Sequence, residues 1–299
     1  LKIAKKHYYK IMDQYDNLAS VYDKLFPPAG TASDWLWAMA SKAAAAEGRQ
    51  SRPRVLDLGA ATGSDCLALA RRGAEATGLD PSAAMLGRAR DKAEEAGVDV
   101  EFREGGMLDA GRLFAPGAFD LVLCLGNTLP HLGGPTELAR FLAEARKLLS
   151  RKASLVLQLL NYDLVLGKLA QNAFAFPEIR EGGLVFRRRY EAGPEGKLRF
   201  ITELEAPGRQ SLVGRTRPRP RHGGLRRDRE ALGLDLSILR PGARPLPHRH
   251  RPQEPPGLST RVRPFPPARA ALASGGPRQL ALISDARPNF VHSEIGSER

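Results

Sequence analysis

The chain has 299 residues, 42% of them hydrophobic, and a formal net charge of +13, enough apolar material for one sizeable α/β core with additions or for two small domains. No apolar run reaches membrane-spanning length, the N-terminus lacks a secretory hydrophobic segment, and Cys66 and Cys124 are too few for a disulfide scaffold; a reducing cytoplasm and no membrane partner are expected. The positive charge first points to nucleic acid, but residues 1–214 carry 29 basic and 26 acidic residues, whereas residues 215–299 carry 17 and 7.

Residues 7–25 place Tyr15, Leu18, Val21, Tyr22 and Leu25 at mostly helical spacing, and Pro27-Pro28 stops the run. Residues 31–48 read as a second helix, on which Trp35 and Trp37 cannot share one narrow core-facing stripe. After a polar link, Val55, Leu56 and Leu58 suit a buried strand. Gly59 and Gly63 then suit a tight turn where a ligand approaches backbone, and a helix follows from Ser64. Strand, glycine turn and helix N-terminus form a nucleotide-sized corner. Its spacing, Gly59-x-Ala61-x-Gly63, is a poor dinucleotide fingerprint.

Residues 74–79 read as a second strand ending at Asp80, and Pro81 suits the first turn of a helix running to Gly97. Asp80 could cap that helix or accept both ribose hydroxyls of a nucleoside. Residues 98–102 form a third strand. Residues 104–109, Glu-Gly-Gly-Met-Leu-Asp, form a loop anchored by Met107. Residues 119–125 form a fourth strand, with Gly126, Asn127 and Thr128 at its carboxyl end, where open parallel sheets bind ligands. Strand–helix repetition implies a parallel sheet with right-handed crossovers.

The run from Asp57 through Gly63, then Asp80, then Phe119 through Asn127 resembles a class I S-adenosylmethionine-dependent methyltransferase. The stretch Gly126-Asn127-Thr128-Leu129-Pro130-His131-Leu132 is similar to the glycine/sarcosine N-methyltransferase-like branch, and the likeness covers residues 15–214. It implies S-adenosyl-L-methionine as cofactor and a small-molecule methyl acceptor, an amine by direct transfer. Asp57, Gly59, Ala61, Gly63, Asp80, Met107 and Leu125 would hold the cofactor, with Asp80 on the ribose. Asn127 and His131 would form the catalytic edge. Tyr15 and Tyr22, on a segment that often covers the ligands in such enzymes, would touch the acceptor. The chain departs from the pattern at Ala61, where glycine is usual, and at Gly106, where an acid often meets the adenine amino group.

Residues 137–149 read as a helix and 154–160 as a fifth strand, with Asn161, Tyr162 and Asp163 at the same edge. Residues 184–189 and 198–204 alternate strongly around the turn-forming 192–196, which predicts an antiparallel hairpin. Arg187, Arg188 and Arg189 cannot all face one way on a strand. Arg180 and Arg187 are candidates to hold an acceptor carboxylate bidentately.

The expected fold is a Rossmann-like three-layer α/β sandwich with a mostly parallel sheet. A helical cap spans 1–48, the cofactor-binding core 49–163 and the antiparallel insertion or acceptor lid 164–214. Residues 215–299 hold 13 of the 23 prolines and no lysine, a composition that fits a reading-frame change or an insertion carrying no part of the site. Within them, residues 279–284 could supply a terminal core strand; the resembled fold ends with a helix and two antiparallel strands. Zinc chemistry, a phosphate-binding loop with Lys-Ser/Thr and a Gly-x-Ser-x-Gly elbow have no matching pattern, and no metal is expected. The basic tail leaves a nucleic-acid or protein methyltransferase as one alternative, and Ala61 with Gly106 leave a catalytically impaired cofactor-binding protein as another.

Overall fold

The computed structural model describes residues 15–28, 32–49, 52–170, 175–192, 198–207, 212–215, 235–239 and 279–285. The start of the first expected helix, all but Ala192 of the hairpin turn expected at 192–196 and most of 215–299, including the passage attributed to a frame change, lie outside these described residues.

A seven-stranded sheet forms the centre: β1 (Arg54–Leu58), β2 (Glu75–Asp80), β3 (Val100–Glu104), β4 (Phe119–Cys124), β5 (Leu149–Leu160), β10 (Asp235–Leu239) and β11 (Gln279–Asp285). Its spatial order is β10-β11-β5-β4-β1-β2-β3. Every neighbouring pair is parallel, which requires crossovers and buries both faces. Successive side chains therefore enter different cores. Val55, Leu121, Leu123 and Val156 pack with Leu36 and Ala40 of α2 (Ala32–Ala46) and Leu69 of α3 (Ser64–Ala70). Leu56, Val122, Cys124, Leu155 and Leu157 pack with Phe141, Leu142 and Ala145 of α5 (Pro135–Leu148) on the other face. Trp35 and Trp37 are half-buried on either side of Leu36, as their adjacent positions on a helix require. Both cysteines are free and buried.

Ser82, and not Asp80, caps α4 (Ala83–Ala96): its extended backbone lets Oγ accept the Met85 N–H at 3.1 Å. The fifth strand begins at Leu149, five positions before its expected start at Ser154. Phe119 pairs with Leu149 but Leu121 with Ser154, so the chain bulges between those pairs. β11 runs parallel to β5, with Gln279 opposite Ser154, and β10 runs parallel to β11. The expected antiparallel end is thus replaced by a parallel one.

A second, antiparallel sheet in the order β6-β7-β8-β9 comprises Ile179–Glu181, Leu184–Ala192, Leu198–Glu205 and Leu212–Arg215. Burial alternates along β7, with Leu184, Phe186, Arg188 and Tyr190 inward. A 3₁₀ turn (Ala19–Val21) leading into α1 (Tyr22–Leu25) lies between this sheet and the glycine turn. There Leu18, Leu25, Phe186 and Leu204 share one cluster with Ala61 and Met85. Among the described residues, no helix is long and apolar enough to cross a membrane.

Candidate active site

The chain leaves β1 through three positions of positive φ: Gly59 (85°), Ala61 (48°) and Gly63 (73°). Glycine is needed at the first for space as well as angle. A Cβ on Gly59 would lie 2.5 Å from Thr128 Cγ2, so the turn abuts the loop that follows β4. Ala61 bears left-handed strain of about 1–2 kcal/mol, while its methyl packs against the N-terminal cluster. Ala61→Gly would relieve that strain, lose about 0.8 kcal/mol of methyl burial and restore about 0.4–1 kcal/mol of unfolded-chain entropy. Denaturant unfolding is therefore expected to shift by less than about 1 kcal/mol, with cofactor affinity nearly unchanged in calorimetry. Marked tightening would place the methyl in the ligand's space instead.

Two acids stand beside this turn. Asp57 is buried on β1, and its Oδ1 has no partner among the described residues. Burial, then the charges of Asp65 and Asp80, push its carboxyl well above the ordinary range. A cationic group arriving at Oδ1 would restore the ionised form, and an α-ammonium fits that demand. Asp80 ends β2, where Oδ2 accepts the Ala61 N–H and Oδ1 the Ser82 N–H, each at 2.9 Å. Burial raises its carboxyl to about 6, against the lowering effect of those two N–H groups. Each oxygen retains a second lone pair that could accept a ribose hydroxyl.

The N-terminal segment is fastened over this corner. Lys92 Nζ donates to Asp23 Oδ2 at 2.8 Å and to Ser64 Oγ at 2.9 Å, and Thr62 Oγ1 donates to Asp23 Oδ1 at 2.6 Å. Ser82 Oγ donates to Asp16 Oδ1 at 2.5 Å. Beneath the segment lies a cavity of about 180 Å³, bounded by Tyr15 and Tyr22 from the cap, Asn127 and His131 from the loop after β4, and Arg188 and Tyr190 from β7. The two tyrosines of the cap and the Asn127–His131 loop are thus brought together.

Gly126 and Asn127 both have positive φ, 63° and 61°, which turns the chain sharply off β4; asparagine tolerates this conformation better than most residues. The Asn127 side chain is held on several sides. Nδ2 donates to the Tyr162 hydroxyl at 3.0 Å, and Oδ1 accepts the Leu160 N–H at 3.3 Å. Tyr190 Oη lies 3.4 Å from Nδ2. His131 Nε2 lies 3.0 Å from the Tyr15 hydroxyl. Met107 and Leu125 are half-buried and pack against opposite faces of the sheet core. The Gly106 N–H donates to Asp109 Oδ2 at 3.2 Å.

Arg180 and Arg187 lie outside the cavity lining. Both ion-pair with Glu178, and Arg187 Nη1 also donates to Glu205 Oε1 at 2.5 Å. The inward arginine is Arg188, 8% exposed, with its guanidinium carbon 4.9 Å from the Phe176 ring centre and 5.3 Å from that of Phe26. Burial lowers its pKa to about 10, so it remains charged at neutral pH. The alternation of Leu184, Phe186, Arg188 and Tyr190 carries this information in the sequence, because residues two apart on a strand share a face.

Residues 55–152 match the family model described as a methyltransferase domain. The glycine/sarcosine N-methyltransferase of Aphanothece halophytica is 30% identical over 148 residues, 46% of this chain and 55% of that protein. The ubiquinone biosynthesis O-methyltransferase of Azorhizobium caulinodans is 32% identical over 122 residues, 38% of this chain and 45% of that protein. The chain therefore spans about half the length of these curated relatives. The CcbJ methyltransferase of Streptomyces caelestis shares the fold, with a TM-score of 0.56 and 24% identity over 73% of this chain and 85% of that one. The matched stretch holds the strand, the glycine turn and Asp80, so residues 55–152 resemble a methyltransferase domain and the chain has a methyltransferase fold.

Proposed function

We propose that the chain transfers a methyl group from S-adenosylmethionine to the amine of a small molecule held in the aromatic cavity. The observation that carries this reading is the wall shared by donor turn and cavity: Gly59 abuts Thr128, whose neighbour Asn127 lines the cavity. The cofactor supplies an activated methyl on a sulfonium. Asp57 would hold the ammonium of its methionine part, directly or through water, and Asp80 its ribose. Met107 and Leu125 would bound the adenine and the sulfonium end. Residues 49–163 would thus bind the donor, while the N-terminal segment and the antiparallel insertion enclose the acceptor.

The remaining task is alignment and exclusion of water. Asn127, already tied to Tyr162 and the Leu160 backbone, would fix the edge against which the amine sits. His131, set by Tyr15, would shape the approach. An amine that loses its proton before binding needs no general base, so the histidine's role is positional. The relatives' names include both N- and O-methyltransferases, and the choice of nitrogen rests on the likeness of residues 126–132 to the N-methylating branch.

A panel of amines, amino acids and hydroxyl compounds, incubated with cofactor and read by product mass spectrometry, tests this. Cofactor-dependent gain of one methyl on an amine is expected. Turnover of hydroxyl compounds alone would overturn the nitrogen assignment.

A further inference from the structure

The three consecutive arginines of β7 are treated differently by the fold. Arg187 faces outward to Glu178 and Glu205, and Arg189 to Glu191 and Glu203. Each outward guanidinium thus has two carboxylates. Arg188, the one that reaches the cavity, has none among the described residues, and its buried Nε has no hydrogen-bond partner there. Its guanidinium carbon lies near the rings of Phe26, Phe176 and Phe186, at 5.3, 4.9 and 5.6 Å.

Ring faces attract the cation, but they do not supply the in-plane acceptors that five N–H donors require. A buried charge without a partner is a standing cost, and a charged partner with matching geometry removes much of it. The group that matches a planar fork of donors is a carboxylate, taken bidentately. The cavity otherwise presents aromatic surface from Tyr22, Phe186, Tyr190 and Phe200. Thr202, opposite Arg188 in the β7–β8 register, adds a polar group to the lining.

We propose that Arg188 is a specificity-determining residue that anchors the carboxylate of the acceptor, so that the enzyme takes small carboxylate-bearing amines whose apolar part lies among the rings. This deepens the methyltransferase reading and rests on it for the word acceptor. The anchoring itself rests on the cavity. An acceptor held by its anionic end would present its amine at a fixed reach from β7, and the neutral amide of the same acid would lose the paired contact.

The test is direct binding on the full chain, with and without S-adenosylhomocysteine. Benzoate is compared with benzamide, and acetate with acetamide, by calorimetry. Arg188→Met keeps the apolar stem and removes the charge, Arg188→Lys keeps the charge without the fork, and Arg189→Met is the control outside the cavity. The wild type is expected to prefer the carboxylate at least about tenfold in one pair or both, as a charge-assisted bidentate contact allows. Arg188→Met should abolish that preference, Arg188→Lys reduce it, and Arg189→Met preserve it. No preference in the wild type would overturn the proposal, and so would a full preference surviving in folded Arg188→Met. Should Arg188→Met fail to fold, an undiminished preference in Arg188→Lys would overturn it equally. If S-adenosylhomocysteine does not bind while the Arg188-dependent preference stands, the methyltransferase reading falls and the carboxylate anchor survives.

Discussion

Gly63→Ala is expected to destabilise the folded chain by roughly 2–4 kcal/mol. Gly63 has a φ of 73°, which an alanine adopts at a cost of about 1–2 kcal/mol. The added Cβ would also lie 2.7 Å from Phe102 Cζ and 3.0 Å from Ala89 Cβ. Phe102 is a core side chain of β3, so its ring has little room to retreat, and overpacking of this kind costs about 1–3 kcal/mol. The lower entropy of the unfolded alanine chain offsets about 0.4–1 kcal/mol. Denaturant midpoints for the two proteins measure the difference. An unchanged midpoint would mean that the turn and Phe102 are not packed as described.

Asp80→Ala should weaken S-adenosylmethionine binding by about 1–3 kcal/mol, the range for charge-assisted hydrogen bonds. The same substitution leaves the Ala61 and Ser82 N–H groups without their carboxylate, so a thermal melt must accompany the titration. The pH profile of the wild type separates ribose binding from turn support. Burial places the Asp80 carboxyl at about 6 in the free protein, above the ordinary value of 3.8. Its contribution to folding is accordingly full below pH 3.8 and is lost as pH rises through about 6. Cofactor affinity runs the other way, because the ribose hydroxyls donate best to the ionised form. It should rise as pH climbs through about 6, and Asp80→Ala should flatten that rise. A flat profile in the wild type would remove Asp80 from the ribose site.

The geometry of the glycine turn is legible in the sequence because its constraints are local. Gly59 and Gly63 mark positions of positive φ, and Asp80 ends an apolar run. The alternation of residues 184–190 and 198–204 likewise announced the antiparallel pair β7–β8. What escaped depends on pairing between distant segments. The bulge that lets β5 begin at Leu149 exists only against Phe119 of β4. The parallel direction of β11 is defined only against its neighbours β5 and β10, not by its own residues. Sequence alone does not separate Ser82 from Asp80 as the cap, because both are good capping residues; the backbone geometry does. Among the arginines, residue type alone makes Arg187 as good a carboxylate ligand as Arg188. The face shared by Leu184, Phe186 and Tyr190 singles out Arg188, once it is known that this face meets a cavity and that Glu178 and Glu205 occupy the outer one.

The most direct measurement is a calorimetric titration of S-adenosylmethionine into the folded wild-type chain at neutral pH. Saturable single-site binding, competed by S-adenosylhomocysteine, is the result the glycine turn, Asp57 and Asp80 predict. A folded chain that takes up neither compound would contradict the account.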